Sequence, residues 1–297
     1  MLVCRILFLS LVAGLCWPVP ARIATGQEPV KPIKLGLVKS LAHDQSKALE
    51  VSLGAFLKKQ TGVDSRVSVA GDALQLGKLM KENRYQLGFF HGIEFAWAQK
   101  KYPDLRPLVM VVSKYRQWHA LVVVKKNSAA SFAKLKGKEL VLPERNKPHC
   151  QLFLDKLCKQ SGGSEAFFGR ISHTDSITDA LDSVFLNKAQ ATIVDDLGWE
   201  CYQDLKPGCH ARLQVLEKSE LFPAGLIAFR QGGIDKAMCE RFRERLLGSG
   251  KTVQSREFMA LLGITAFEPV PAGFDRSLAK ILEIYPEPHR DKGAQGK

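Results

Sequence analysis

The chain is predicted to be an α/β protein of two lobes, each a mixed, mostly parallel sheet flanked by helices. Three observations predict this. Strand-like and helix-like segments alternate along almost the whole chain, which calls for sheets covered on both faces. Several short apolar runs stop at a small or polar residue and turn at once into a helix, as in Tyr85-Gln86-Leu87-Gly88-Phe89-Phe90-His91-Gly92-Ile93. Two extended stretches, near 113–118 and 221–226, are placed to carry the chain from one lobe to the other and back.

The elements follow in order. Residues 33–38 read as a strand. Leu49, Leu53, Phe56 and Leu57 fall at i, i+4, i+7 and i+8, one face of a helix that Gly62 ends. A strand over 66–70 and a helix over 73–83 come next. The strand 87–90 leads into a helix over 93–102, and a strand over 105–113 closes the first set. A second set opens with a strand over 119–125, and Leu135-Lys136-Gly137-Lys138 turns into a strand over 139–142. A helix over 149–160 is closed by Gly162-Gly163. Ile177, Ala180, Leu181, Val184 and Phe185 mark another amphipathic helix. Strands over 191–194 and 212–216 follow, and a strand over 226–229 returns to the first lobe. Helices over 234–247, 252–262 and 274–284 finish the chain. Lobe 1 is therefore expected over 33–114 plus 225–285 and lobe 2 over 115–224. Residues 22–32 form a polar leader and 286–297 a loose tail.

The first 21 residues have the form of a secretory signal: Arg5, an apolar run over 6–16, and Val19-Pro20-Ala21 as a small-residue cleavage site. The run is shorter than the ~20 residues a membrane span needs. Cys16 follows Leu15, where a lipidated cysteine calls for a small residue. The mature protein is thus expected to be periplasmic or secreted. The full chain has a formal net charge of +13, or +12 without Arg5, which favours anionic partners. There is no nucleic-acid-binding motif and no aromatic stripe among the basic residues, so nucleic acid is not expected. Five cysteines follow the signal. Cys201 and Cys209 flank Pro207-Gly208 and are the candidate disulfide, which an oxidising compartment permits. Cys150 and Cys158, on one helix, are about 12 Å apart, too far to bond.

A strand end that opens into a helix offers backbone N–H groups to an anion. Such junctions recur at 87–92, at Ile171-Ser172-His173-Thr174, at Ala191-Thr192-Ile193-Val194-Asp195-Asp196 and at 142–146. In an open α/β sheet, ligands bind beyond the carboxyl ends of the strands. Ser40, at the end of the first strand, binds the ligand or caps a turn. His91 and Gly92 present the helix amides. Asn146, Lys147 and His149 bring polar and charged groups to the fourth junction.

Over about 33–262 the chain resembles the periplasmic phosphate-, phosphite- and phosphonate-binding proteins of ABC transporters (PhnD type, a branch of the type II solute-binding proteins). The resemblance is carried by Leu79-x5-Tyr85-x-Leu87-Gly88-Phe89 with Phe95-Ala96, by Leu135-Lys136-Gly137-Lys138, by His173-x-Asp175-x-Ile177-x-x-Ala180 with Leu186-Asn187-Lys188-Ala189-Gln190-Ala191, and by Asp195 and Phe222-Pro223. It implies a two-lobed, type II periplasmic-binding-protein-like fold. It also implies a receptor that closes on a small anionic ligand and hands it to a membrane permease, with no cofactor. His173 matches the family's ligand histidine. Asp195 matches a ligand-contacting position, or serves as the cap of the helix that follows. Phe95 takes the place of a tyrosine and walls the cleft or packs in the core. Where the family has a Ser-Thr-Ser-Gly-like segment, this chain has Glu144-Arg145-Asn146-Lys147-Pro148-His149-Cys150. The protein is expected to be a monomer. Two rival readings remain: a ligand-sensing accessory protein for a membrane partner, and a thiol enzyme or metal-binding protein built on His91, His149, Cys150 and His173. The sensor would share every feature above, whereas the enzyme or metal reading brings no recognised motif.

Overall fold

The computed structural model describes residues 32–41, 46–144, 146–162 and 167–288. The signal segment, nearly all of the leader, Arg145, Gly163 and residues 289–297 of the tail lie outside the described residues. Four strands, β1 (Ile33–Val38), β2 (Ser65–Gly71), β3 (Leu87–Phe90) and β4 (Leu105–Val112), alternate with α1 (Ser46–Thr61), α2 (Ala73–Lys81) and α3 (Gly92–Lys101). The short β5 (Gln117–Trp118) precedes β6 (Ala120–Lys125), β7 (Glu139–Pro143), α4 (Pro148–Gln160), β8 (Arg170–Thr174), α5 (Ile177–Phe185), β9 (Ala191–Asp195), α6 (Asp196–Leu205), α7 (Pro207–His210) and β10 (Leu213–Lys218). The chain returns through β11 (Phe222–Pro223) and β12 (Gly225–Arg230) to α8 (Lys236–Leu247), α9 (Val253–Leu261), β13 (Ala266–Glu268) and α10 (Phe274–Ile284).

Local chemistry sets the boundaries. Gly62, at φ +70, stops α1. The Asp72 carboxylate accepts the Gln75 N–H at 2.9 Å and starts α2, and Ser176 does the same for α5 through Asp179.

One sheet runs β13-β4-β12-β3-β1-β2 and the other β10-β6-β9-β7-β8. β2, β1, β3 and β4 point one way, and β12 is antiparallel to both β3 and β4. In the second sheet β8, β7, β9 and β10 share a direction against β6. The inverted strands are β6, which enters lobe 2, β12, which re-enters lobe 1, and β13 at the lobe 1 edge. Consecutive residues of the central strands are buried on opposite faces. In lobe 1, Met110 and Val112 pack with α2, α3 and α10, whereas Val109 and Val111 pack with α1, α8 and α9. In lobe 2, Val122 and Val124 face α4, whereas Leu121 and Val123 face α5 and α6. Unbroken apolar strands are what a sheet covered on both sides requires.

The two crossings meet as a two-stranded ribbon, with Phe222 opposite Trp118 and Pro223 opposite Gln117. Phe222 and Tyr285 pack with Ile93 and Ile281 of lobe 1 and Leu152 of α4. Beside them Glu220 is ion-paired with Lys156 of α4 and accepts the Tyr285 hydroxyl at 2.5 Å. The end of α10 is therefore braced against the base of the ribbon. Among the described residues, no helix is long and apolar enough to cross a membrane.

Candidate functional site

Ser40 follows β1, His91 follows β3 and Asn146 follows β7, so each stands beyond the carboxyl end of a parallel strand. The structure brings them together. Ser40, His91, Gly92, Asn146, Lys147 and His149 all line one cleft of about 350 Å³ beside the crossing ribbon. A larger hollow, about 580 Å³, lies on lobe 1 where Lys78, Lys100 and Lys101 meet residues 286–288. Leu74 and Gln75 of α2 and the C-terminal end of α3 line it, and none of the expected site residues does.

The lobe 1 wall is the start of α3. His91 is the N-cap residue, and its side chain gives no capping bond. Gly92 lies so close to the ribbon that a Cβ there would sit 2.5 Å from the Pro223 carbonyl oxygen and 2.6 Å from that of Ala224. Only glycine lets the helix start press against the crossing. Glu94, three residues into the junction, was not anticipated. Its carboxylate accepts the Ser40 hydroxyl at 2.6 Å and the His91 backbone N–H. This is half of a capping box with histidine at the N-cap. Burial raises its pKa to about 7, against these two hydrogen bonds, which lower it.

The lobe 2 wall is the start of α4. Lys147 is the N-cap residue, without a side-chain cap, and Pro148 occupies the first turn. The Lys147 ammonium is ion-paired with Asp195 and lies 4.3 Å from the centre of the Trp118 ring. His149 is 6% exposed and packs on Phe222 with ring centres 5.3 Å apart. Burial drives its pKa down to about 3, so the imidazole is neutral. His149 Nε2 and Asn146 Nδ2 are buried without a hydrogen-bond partner among the described residues. Trp118, Phe222, Phe89 and Leu197 are part of the apolar lining. Nothing in the sequence singled out Trp118, which reaches the cleft only because the ribbon forms. Glu94 carried a legible sign, since a carboxylate three residues after a strand-ending residue is a helix-start pattern.

Three of the expected site residues are not on the cleft surface. Asp195 is 2% exposed and caps α6, accepting the Gly198 N–H at 2.8 Å. It acts on the cleft through Lys147. Asp196 instead accepts the His119 backbone N–H at 2.6 Å. Phe95 is fully buried in lobe 1, edge-on to Phe90; α3 turns position 95 to the sheet while its first turn meets the cleft. His173 is exposed on β8, the outermost strand of its sheet, and does not line the cleft. No residue of β8 lines the cleft, so the place of the strand at the sheet edge decides this.

The expected Cys201–Cys209 bridge is not formed; both are free thiols. Cys201 is exposed on α6, beside the inward-facing Tyr202, whereas Cys209 packs into the core of lobe 2. The Pro-Gly turn thus brings the chain round without aligning the two thiols. Cys150, the thiol considered as a nucleophile, is buried, and burial pushes its pKa well up. Among the described residues no three His, Cys, Asp or Glu side chains are grouped to hold a metal ion.

Solved structures with the same fold include three informative neighbours. XAC2383 of Xanthomonas citri, bound to ATP, aligns with TM-score 0.62 at 17% identity over 85% of this chain and 96% of that one. The binding-protein component of a Pseudomonas aeruginosa ABC phosphonate transporter gives 0.59 at 15% identity over 85% and 87%. PhnD1 of Prochlorococcus marinus, in complex with methylphosphonate, gives 0.59 at 14% identity over 85% and 97%. No curated protein sequence matches the chain. The profile of one family, described as the phosphonate periplasmic substrate-binding protein of ABC transporters, matches residues 35–272. With most of its length matched and a cleft at the strand ends between two sheets, the chain belongs to the family of phosphonate-type periplasmic substrate-binding proteins.

Proposed function

We propose that the chain captures a small oxyanion of the phosphonate, phosphite or phosphate class in the cleft between its two sheets and delivers it to a membrane permease. The observation that carries this reading is the convergence of two helix starts, α3 from one lobe and α4 from the other, on one cleft that also holds the unpartnered Asn146 Nδ2 and His149 Nε2. Helix starts concentrate unsatisfied N–H groups and positive potential. Asn146 adds a side-chain donor, and neutral His149 adds another when its proton is on Nε2. Lys147 contributes its charge only in part, because Asp195 already compensates it.

The lobes divide near 113–118 and 221–226 and close by bending of the β5–β11 ribbon, so that both helix starts reach the ligand together. Recognition involves no bond cleavage. The buried, protonated thiol of Cys150 supports that view over nucleophilic chemistry. The protein works as a monomer, released outside the cytoplasm by removal of residues 1–21.

Titration calorimetry against methylphosphonate, phosphite, phosphate and sulfate tests the reading. Saturable binding of at least one of them is expected, weakened about tenfold or more by Asn146→Ala. Binding that is absent for all four, or unaffected by substitutions at Asn146 and His149, would remove the cleft from consideration.

A further inference from the structure

Ser40 lines the cleft, and its hydroxyl oxygen lies 2.6 Å from Glu94 Oε2. Glu94 sits behind that wall, 8% exposed. A hydroxyl has a single proton to give. When Glu94 is ionised, that proton is committed to the carboxylate, and Ser40 turns only lone pairs toward the cleft. A fully ionised oxyanion meets them as repulsion, whereas an anion that still carries an acid O–H can donate to them. When Glu94 is protonated, its own O–H donates to Ser40, and the serine proton is released toward the cleft.

We propose that Glu94 sets the polarity of Ser40 and that the pair determines specificity: in the ionised state it selects oxyanions bearing an O–H, and in the protonated state it admits fully ionised ones. This rests on the reading of the cleft as an oxyanion site.

The groups around Glu94 fit such a role. Its hydrogen-bond donors are Ser40 and the His91 backbone, and the charge facing it from α2 is Asp72. The other elements packed on α3 bring apolar groups, Phe222 from β11, Met110 from β4, Leu226 from β12, and Phe274, Leu278 and Ile281 from α10. Among the described residues, no cation is among the groups that shift Glu94. Burial places its titration at about pH 7, where either state is populated by a modest change in acidity.

Methanesulfonate is the probe, because it has the shape of methylphosphonate and no acid proton across the range used. Calorimetry at pH 8.5 and pH 5.5, at constant ionic strength, is expected to show methanesulfonate binding about tenfold tighter at the lower pH. Glu94→Gln, whose amide N–H donates to Ser40 permanently, should bind it tightly at both values. Ser40→Ala should lose the step. His91→Gln, replacing the other titratable group at this wall, should keep the step whatever it does to affinity. The pH series on the unaltered protein carries the test should a variant fail to fold. A flat wild-type series, a step that survives Ser40→Ala, or methanesulfonate refused at both values while methylphosphonate binds would each overturn the pair's role. Failure of methylphosphonate and methanesulfonate alike at both values would instead sink the oxyanion reading, and the proposal with it.

Discussion

The two walls of the cleft are built from the same part, a helix start beyond a parallel strand, and yet they bury opposite kinds of ionisable group. On lobe 1 the start of α3 hides an acid, Glu94, held among hydrogen-bond donors. On lobe 2 the start of α4 hides a base, His149, against the Phe222 ring, beside an ion pair between Lys147 and a buried Asp195. Burial favours the neutral form in both cases, so it raises the acid's pKa and lowers the base's. The lesson is that both walls are dry and nearly neutral. Under the proposed function, anion recognition then falls to oriented dipoles rather than to free charge.

The largest expected effect breaks the lobe 2 wall at its charge pair. Lys147→Met leaves the Asp195 carboxylate buried and uncompensated and should cost about 3 kcal/mol of stability in urea unfolding. Asp195→Ala should cost at least as much, because it also removes the cap of α6. Loss of less than about 1 kcal/mol in both would mean that the pair is solvated and that the two walls differ less than described.

The next effect separates the walls by pH. His149 binds its proton less tightly in the folded protein than its ordinary value of 6.5, so the unfolded chain takes up more protons as the medium turns acid. Stability should therefore fall by about 1.4 kcal/mol per unit as pH drops from 6.5 toward 3. Glu94 works in reverse. Its folded pKa of about 7 lies above the ordinary 4.5, so its contribution is complete below pH 4.5 and is lost as pH rises toward 7, again by about 1.4 kcal/mol per unit. Between about pH 4.5 and 6.5 the two slopes oppose each other, and the unaltered protein should show little net dependence from this pair. Glu94→Gln should expose the acid-side loss and raise stability at pH 8 by about 2 kcal/mol. His149→Phe should leave stability declining as pH rises. Parallel urea titrations of the three proteins across pH 4.5 to 8 check this, and identical profiles would show that neither group is dry.

The smallest effect concerns the brace common to both walls. Tyr285→Phe removes the hydroxyl that Glu220 accepts while keeping the ring against Phe222. A loss of about 1 kcal/mol is expected, with faster amide exchange in 221–226 than in the core of either sheet. An unchanged exchange pattern would mean that α10 does not restrain the ribbon.

Much of this was written in local sequence. The strand Leu87–Phe90 and the helix over 274–284 were legible residue for residue, because apolar runs and 3.6-residue spacing report burial directly. The returning strand at 226–229 was legible too, since Leu226-Ile227-Ala228 has the unbroken apolar character of a strand covered on both faces. The short elements were not. α7, β5, β11 and β13 span two to four residues each, too few for a period to show, and β5 and β11 exist only through each other. At the site, Ser40, His91, Gly92, Asn146, Lys147 and His149 could be named because strand ends are legible. Phe95 could not be placed, because a helix position tells which residues share a face but not which face meets the other lobe, and His173 could not, because local sequence does not tell which strand ends at the edge of the sheet.

The amino-acid sequence by itself determined the order of the longer strands and helices, where most of those helices begin, and membership of the phosphonate-binding family, since these depend on periodicity, capping chemistry and spacing along the chain. The tertiary structure alone decided that Glu94 and His149 lie buried on facing walls, that Lys147 spends its charge on Asp195, and that Trp118 joins the cleft. Each of those depends on groups 20 to 100 residues apart being brought within a few ångströms and shut off from water, and desolvation is a property of the assembled fold.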